Sequence, residues 1–571
     1  MPSISHDILI IGAGIAGQRA AIEARQQNMD VGIVSKVHPV RAHVADASDG
    51  INAAMGPQDD WKKHFNDTVY GGDFLGDQDA IEIMCQEAPA RVKELESSWG
   101  LAFSRTQKGE MARRVLGGHQ KPRTHYAEDR TGHLLLHLLH DQLMKTHPTM
   151  YTDYFCVGLV VEENGCQGAI LLDIQKGKLI EAHARAVMLA TGGSGRIFSP
   201  TTNTNASTGD GLALAFNAGL PLEDMEFVQF HPTGMHGKGY VIPEAACGEG
   251  AHLLNAKGER FMKRYAPTAL ERAPRDIIAR AIAKEIMSKR GVGPQNDHVL
   301  LDARPMGEKA ISAHLPETIH MVKTHLNIDG TQEHIPVSPA AHLTMGGIPI
   351  DLQTRVVTDA RNTILPHLYA AGETACAGVH GANGLGGNTV LESLVFGRIA
   401  GLRMSHQVRT RKSSLKPHDS IHLERARERI NRFLTTSHGF KSYDVQEKLS
   451  QLMTQTCGIY RSNASLSRGM RGWEKIRTQI EQLHVDDKSP VYNTDLLAAL
   501  ETHHLVSISE AILASALART ESRGTHTRID YPRRDNAKWL KHTLATKKGK
   551  GVALTYKSVV IKGYAPEGRH Y

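Results

Sequence analysis

The chain has 571 residues, 40% hydrophobic and 22% charged, which is enough apolar content to bury a large core divided among several domains. A net charge of +7 is mild at this size and no recognition module accompanies it, so nucleic acid is not expected as a partner. Six cysteines form no CxxC pair or metal-ligand cluster and read as reduced cytosolic thiols; no export signal precedes the first strand and no apolar run approaches membrane-spanning length, so membrane association is expected only through partners.

In chain order, Ile8-Leu9-Ile10-Ile11 reads as a strand that turns at Gly12-Ala13-Gly14-Ile15-Ala16-Gly17 into an Ala-rich helix from Arg19 to Gln26. Gly12 permits the turn, Gly14 lets a pyrophosphate approach the backbone, and Gly17 lets helix and strand pack closely, with the anion at the helix N-terminus. A dinucleotide is expected there. The next strand, Val31 to Val34, ends in Ser35-Lys36 instead of the acidic residue that takes an adenosine ribose, which weakens an NAD reading. Arg41-Ala42-His43 follows, then a loop from Gly50 to Ala54 expected to lie along the dinucleotide toward its reactive ring.

Residues 60–150 read as loops and helices, with Phe103 in one loop and an apolar helix from Leu134 to Leu143; residues 151–189 alternate like a small sheet. Ala190-Thr191-Gly192-Gly193 closes a further strand, Thr208-Gly209-Asp210-Gly211 enters a helix from Leu212 to Ala218, and Leu368 to Glu373 closes a third strand. Three strand-to-glycine junctions, the last placing Glu373 to hold ribityl or ribose hydroxyls, resemble two-dinucleotide-binding-domain flavoproteins and favour FAD over NAD. The stretch 227–342 interrupts them as an inserted cap, Arg409 to Pro417 reads as a linker, and 420–485 and 494–520 carry helical periodicity. Lys547-Lys548-Gly549-Lys550 is either a solvated tail or a docking surface for an acidic partner. The expected fold is α/β: a Rossmann-like FAD-binding domain (1–226 plus 343–410), an inserted α+β capping domain (227–342), a C-terminal helical bundle (411–530) and a short C-terminal domain (531–571).

These and further motifs resemble the flavoprotein subunit of succinate dehydrogenase and fumarate reductase over nearly the whole length. The further matches are Gln229-Phe230-His231-Pro232-Thr233-Gly234, Gly258 to Met262, Arg275-Asp276, His342 before Met345-Gly346-Gly347, His380-Gly381-Ala382-Asn383 and Glu521 to His526. The resemblance implies FAD bound covalently through His43, with Asn388 and Thr389 added to a cofactor set of Gly12, Gly14, Gly17, Ser35, Lys36, Gly50, Ala190, Gly192, Asp210 and Glu373. It implies His231 and His342 as donors to the substrate carboxylates, Arg275 as the proton shuttle, Glu244 as a relay carboxylate and Phe103 as an aromatic beside the substrate. Bland readings stand beside these: His43 as an ordinary loop histidine, Arg275 as an ion pair with Asp276.

The implied function is oxidation of succinate to fumarate, or the reverse, with electrons leaving through an iron-sulfur subunit docked on a membrane anchor at the inner face of the cell membrane; the chain itself lacks cysteines for clusters. Four positions depart from the family pattern. Gly384 stands where the family has a carboxylate-clamping arginine, Cys247 where its proton path has a second arginine, Pro243 for a hydroxyl residue, and Ser48-Asp49 for a Gln-Gly pair. Arg398 and Arg41 are the candidate substitutes for the missing cation. The departures keep open a same-scaffold oxidoreductase or electron-transfer subunit for a less anionic substrate; L-aspartate oxidase, which lacks a flavin-linking histidine, is disfavoured by His43.

Overall fold

The first strand is longer than its apolar run, Ser3–Ile11, and pairs in parallel with Val31–Ser35 on one side and Lys178–Leu189 on the other. In the computed structural model, which describes residues 3–43, 47–410 and 421–571, these belong to an eight-stranded sheet. Its order is Arg355–Val357, Ile364–Ala370, Lys178–Leu189, Ser3–Ile11, Val31–Ser35, Thr149–Thr152, with the hairpin Tyr154–Glu162 and Gly165–Asp173 attached through Lys178–Leu189. The stretch 151–189 is therefore part of the main sheet and not a small sheet of its own.

Successive side chains of a strand point to opposite faces, and here both faces are covered. Leu9 and Ile11 enter one buried cluster, with apolar residues of the C-terminal helices; Ile8 and Ile10 enter another, with helices Ile15–Gln26 and Asn388–Thr410. The chain leaves the first strand toward one neighbour and later returns on its other side, so that strand's C-terminal end is a topological switch point, the usual seat of a ligand in such sheets. Gly12 sits there with φ +111°, and a Cβ on it would lie 2.1 Å from the Ala190 carbonyl oxygen. A Cβ on Gly17 would lie 1.9 Å from the Gly12 oxygen, so helix and strand pack too closely for any side chain.

Between 227 and 342 an antiparallel sheet (Val228–Met235, Ile335–Thr344, Val299–Asp302, His252–Leu254) and helix Arg275–Met287 enclose a separate hydrophobic cluster. Four long helices follow: Ile421–Thr435, Ser442–Cys457, Asn463–Ile480 and Thr494–Ala518. The last qualifies the expectation of no membrane-length run, being long and apolar enough by composition, yet 78% of its apolar window is buried inside the protein, where it is the central helix of the bundle. Arg409 and Thr410 form the end of the helix Asn388–Thr410 and not a linker, and the rest of the expected linker, 411–417, lies outside the described residues. The C-terminal hairpin Lys541–Lys548 and Gly551–Ser558 joins Leu222–Glu223 as a three-stranded sheet, and Lys547 Nζ donates to Asn217 Oδ1 at 2.8 Å, so this basic stretch is partly docked instead of a free tail.

Candidate active site

A long cleft opens at the switch point and encloses about 1600 Å³, part of it open to solvent. Gly12, Gly14, Ser35, Lys36, His43, Gly50, Ala190, Gly192, Asp210, Glu373 and Thr389 line it, as do Arg275 and His342. Helix Ile15–Gln26 begins at Gly14 with no side-chain cap and no acidic residue in its first turn, which leaves its N–H groups to an anion. A Cβ built on Gly14 meets nothing within 4 Å, so that backbone faces the open cleft. An extended dinucleotide fits these features.

Two of the expected cofactor residues stand apart from the cleft lining. Gly17 does the packing work described above, and Asn388 spends its amide on Asn52, His64 and Thr68 beneath the cleft. Lys36 Nζ meets Asp210 Oδ2 at 2.8 Å and Glu501 Oε1 at 2.6 Å. Burial opposes the lysine's charge, but the two carboxylates outweigh it and hold its pKa up, while Lys36 and His504 hold Asp210 low against the same burial. Glu501 comes from the helix Thr494–Ala518, 465 residues away, and nothing in the local sequence signals it. Glu373 accepts from the Thr344 N–H at 3.0 Å, and its burial raises its pKa.

At the far end of the cleft three histidines and an arginine converge. The rings of His231 and His342 lie 5.0 Å apart, and those of His43 and His342 6.5 Å apart. The turn after His231 brings the Thr233 N–H to its Nδ1 at 3.3 Å, so Nδ1 is the acceptor and Nε2 carries the hydrogen. That Nε2 is buried with no partner, a donor awaiting an acceptor. His342 Nδ1 lies 2.8 Å from Thr202 Oγ1, which fixes its ring. Burial, reinforced by Arg275, lowers the pKa of both rings well below the usual range, so each offers a hydrogen bond and not a charge.

Arg275, at the start of helix Arg275–Met287, is buried and has all its donor nitrogens engaged. Nε donates to Glu244 Oε2 at 2.6 Å, Nη2 to Asp49 Oδ2 at 2.7 Å, and Nη1 to Gln229 Oε1 at 3.2 Å. Asp276 pairs instead with Arg280 and Arg569, so the reading of Arg275 as its partner is corrected. Burial first, and then Asp49, raise the Glu244 pKa despite Arg275. The glutamate's other oxygen accepts from the Gly117 N–H.

Phe103 is buried with its ring 6.1 Å from His125, in the core cluster that holds Ile51, and it does not line the cleft. Neither proposed substitute for the missing cation reaches the site: Arg398 lies 3.3 Å from Glu23 behind the first helix, and Arg41 is exposed. Gln229, which opens the Gln229-to-Gly234 motif, bridges Arg275 to the Asn383-Gly384 loop through its amide, donating to Asn383 Oδ1 at 2.9 Å and Gly384 O at 2.7 Å.

Comparison with known proteins places this geometry. Family profiles described as "FAD binding domain" and "Fumarate reductase flavoprotein C-term" match residues 7–390 and 446–571. The chain is 40% identical to the succinate dehydrogenase flavoprotein subunit of Rickettsia conorii, with 97% of this chain and 95% of that protein covered. It is 39% identical to the fumarate reductase flavoprotein subunit of Mycobacterium tuberculosis, covering 99% of each. Among solved structures it is similar to the FrdA chain of E. coli quinol fumarate reductase, with a TM-score of 0.94, 34% identity, and 100% and 99% of the two chains covered.

Proposed function

The chain belongs to the succinate dehydrogenase and fumarate reductase flavoprotein family, and from that premise we propose how its own residues interconvert succinate and fumarate. FAD is the cofactor, and bound in the cleft it supplies a two-electron hydride acceptor or donor. The N-terminus of the first helix with Gly14 would hold the pyrophosphate, Glu373 and Thr389 would take the cofactor's hydroxyls, and His43, which lines the same cleft beside His342, would be the residue to bond the flavin. His231 Nε2 and His342 donate to the substrate carboxylates as neutral rings, Arg275 handles the proton at the substrate carbon, and Glu244 holds Arg275 in place.

The observation that carries this reading is the convergence of His231, His342 and Arg275 at one end of a dinucleotide cleft with His43 beside them. That arrangement favours a dicarboxylate over a less anionic substrate, although Gly384 leaves the pocket short of one cation. We take 227–342 as the cap that closes over this site and 1–226 plus 343–410 as the cofactor-binding domain. The chain works as one subunit of a membrane-associated complex, passing electrons to an iron-sulfur subunit and through it to a membrane anchor on the cytoplasmic side.

The test is a titration of the purified, flavin-loaded chain with fumarate and malonate, following flavin absorbance. A saturable shift at millimolar ligand is expected, and its absence removes the dicarboxylate reading. Acid precipitation of the same sample tests His43: flavin fluorescence is expected to stay with the denatured band, and release into the supernatant excludes the covalent bond.

A further inference from the structure

The two carboxylates on Arg275 are not equivalent. Glu244 is closed in, with one oxygen on the Gly117 N–H, the other on Arg275 Nε, and Cys247 three residues further along the same short helix packed among apolar side chains. Burial pushes the Cys247 thiol well up and keeps it protonated. Asp49 touches the same guanidinium from the other side, and of the two only Asp49 lines the cleft. Its Oδ1 accepts from the Ala245 N–H at 3.3 Å, and its own carbonyl accepts from Arg114 Nε at 3.1 Å, while Arg114 Nη2 holds the Ser48 carbonyl at 3.0 Å. The loop that presents Asp49 to Arg275 is thus fixed by a buried arginine. The charged groups facing Asp49 are Arg275 and Glu244 from the cap and Arg114, itself 3.7 Å from Glu249.

Resting on the succinate/fumarate reading, we infer that Asp49 is the proton carrier of this enzyme, exchanging with solvent the proton that Arg275 exchanges with the substrate carbon. An arginine keeps its charge in proteins, so it can take a proton only if it gives one up in the same event. In succinate oxidation one C–H bond breaks as a proton loss, and its electron pair becomes the second bond of the alkene as the hydride leaves from the neighbouring carbon. Nη2 takes that proton as one of its own hydrogens passes to Asp49 Oδ2, so one N–H bond forms as another breaks, Arg275 is a guanidinium cation before and after, and one O–H bond forms on Asp49. Fumarate reduction runs the same exchange backwards. Asp49 acts through Arg275 and is a positioning residue in that sense. The negative charge it adds beside the anion pocket is the cost of the arrangement, since it opposes a dicarboxylate.

That cost supplies a readout a structural role would not give. In the flavin-loaded holoenzyme, Asp49→Asn removes the charge and the proton site together, keeping shape and the Arg275 contact. Turnover is expected to fall about 100-fold, the lower end of what a positioned acid-base group contributes. Malonate, read by flavin absorbance, is expected to bind several-fold more tightly, the solvent isotope effect on turnover to rise, and Asp49→Glu to restore part of the rate. Unchanged turnover, or turnover and malonate binding lost together with the flavin retained, overturns the inference. Wild-type protein that neither turns over fumarate nor shifts its flavin spectrum with malonate would instead remove the functional reading beneath it.

Discussion

Arg275 shows how a single side chain can be forced into one role by its neighbours. Its three acceptors engage each nitrogen once, and a Cβ at Gly386 would lie 2.8 Å from Glu244 Oε2 and 3.0 Å from Arg275 Nη2, so backbone packs close on one side while the guanidinium still lines the cleft with N–H groups to spare. Gly384 is different: its φ is not in the left-handed region, and a Cβ there meets Leu343 Cδ2 at 3.0 Å and His380 Nδ1 at 3.4 Å, contacts that a slight shift relieves. The position therefore tolerates a side chain. Gly384→Arg is expected to return a guanidinium to the carboxylate pocket and lower the dissociation constant for malonate about 10- to 100-fold, given roughly 1.5–3 kcal/mol for a charge-assisted hydrogen bond. Flavin-absorbance titration of the variant against wild type checks it; equal affinities would mean that the loop around Ala382-Asn383 does not face the substrate.

At the scale of elements, one buried histidine anchors the C-terminal hairpin to two carboxylates of the main body, beside its strand pairing with Leu222–Glu223. His542 on strand Lys541–Lys548 is fully buried, with Nδ1 2.6 Å from Asp224 Oδ2 and Nε2 3.1 Å from Asp77 Oδ1. Burial opposes its charge, but Asp224, Asp77 and Glu223 outweigh burial and raise its pKa well above 6.5; Asp77 in turn is held at about 2. A histidine raised on folding stabilises fully below its unfolded value near 6.5, and that contribution is lost as pH rises through the folded value. His542→Gln is expected to cost about 3 kcal/mol near pH 6, because two buried carboxylates lose their cation. The gap in melting temperature between wild type and variant is expected to narrow as pH is raised into the alkaline range; a gap that widens with pH would contradict this assignment.

Across the whole molecule, the most distant parts of the chain meet behind the active-site loop. Glu521 accepts from Arg519 Nη1 at 3.0 Å and Arg523 Nε at 2.7 Å, Arg519 Nε donates to Glu226 Oε1 at 2.6 Å, and all four side chains are fully buried. Arg523 Nη1 also donates to the Asp73 carbonyl at 2.9 Å, and the Thr525 N–H to the Ala382 carbonyl at 2.9 Å, so the motif Glu521 to His526 braces the His380–Gly384 loop from behind. Its match to the family pattern reflects support of the site and not contact with substrate. Arg523→Ala is expected to destabilise by about 3–5 kcal/mol, the usual cost of leaving a buried charge unpaired, with a lower melting temperature in thermal denaturation; an unchanged melting temperature would show that the network is not structural. The sequence by itself determined the strand-glycine-helix cofactor turn and the FAD assignment, because these depend on local backbone geometry and on residue types at short spacing, whereas His231, His342, Arg275 and Glu244 are singled out only by resemblance to the family's motifs. Only the tertiary structure decided that Asp49 and Gln229 share Arg275, that Glu501 crosses to Lys36, that Arg398 and Arg41 lie outside the pocket and that Phe103 lies in the core. Those pairings join residues up to hundreds of positions apart. Burial decides them, since a charge removed from water must find a partner and the fold alone settles which one is within reach.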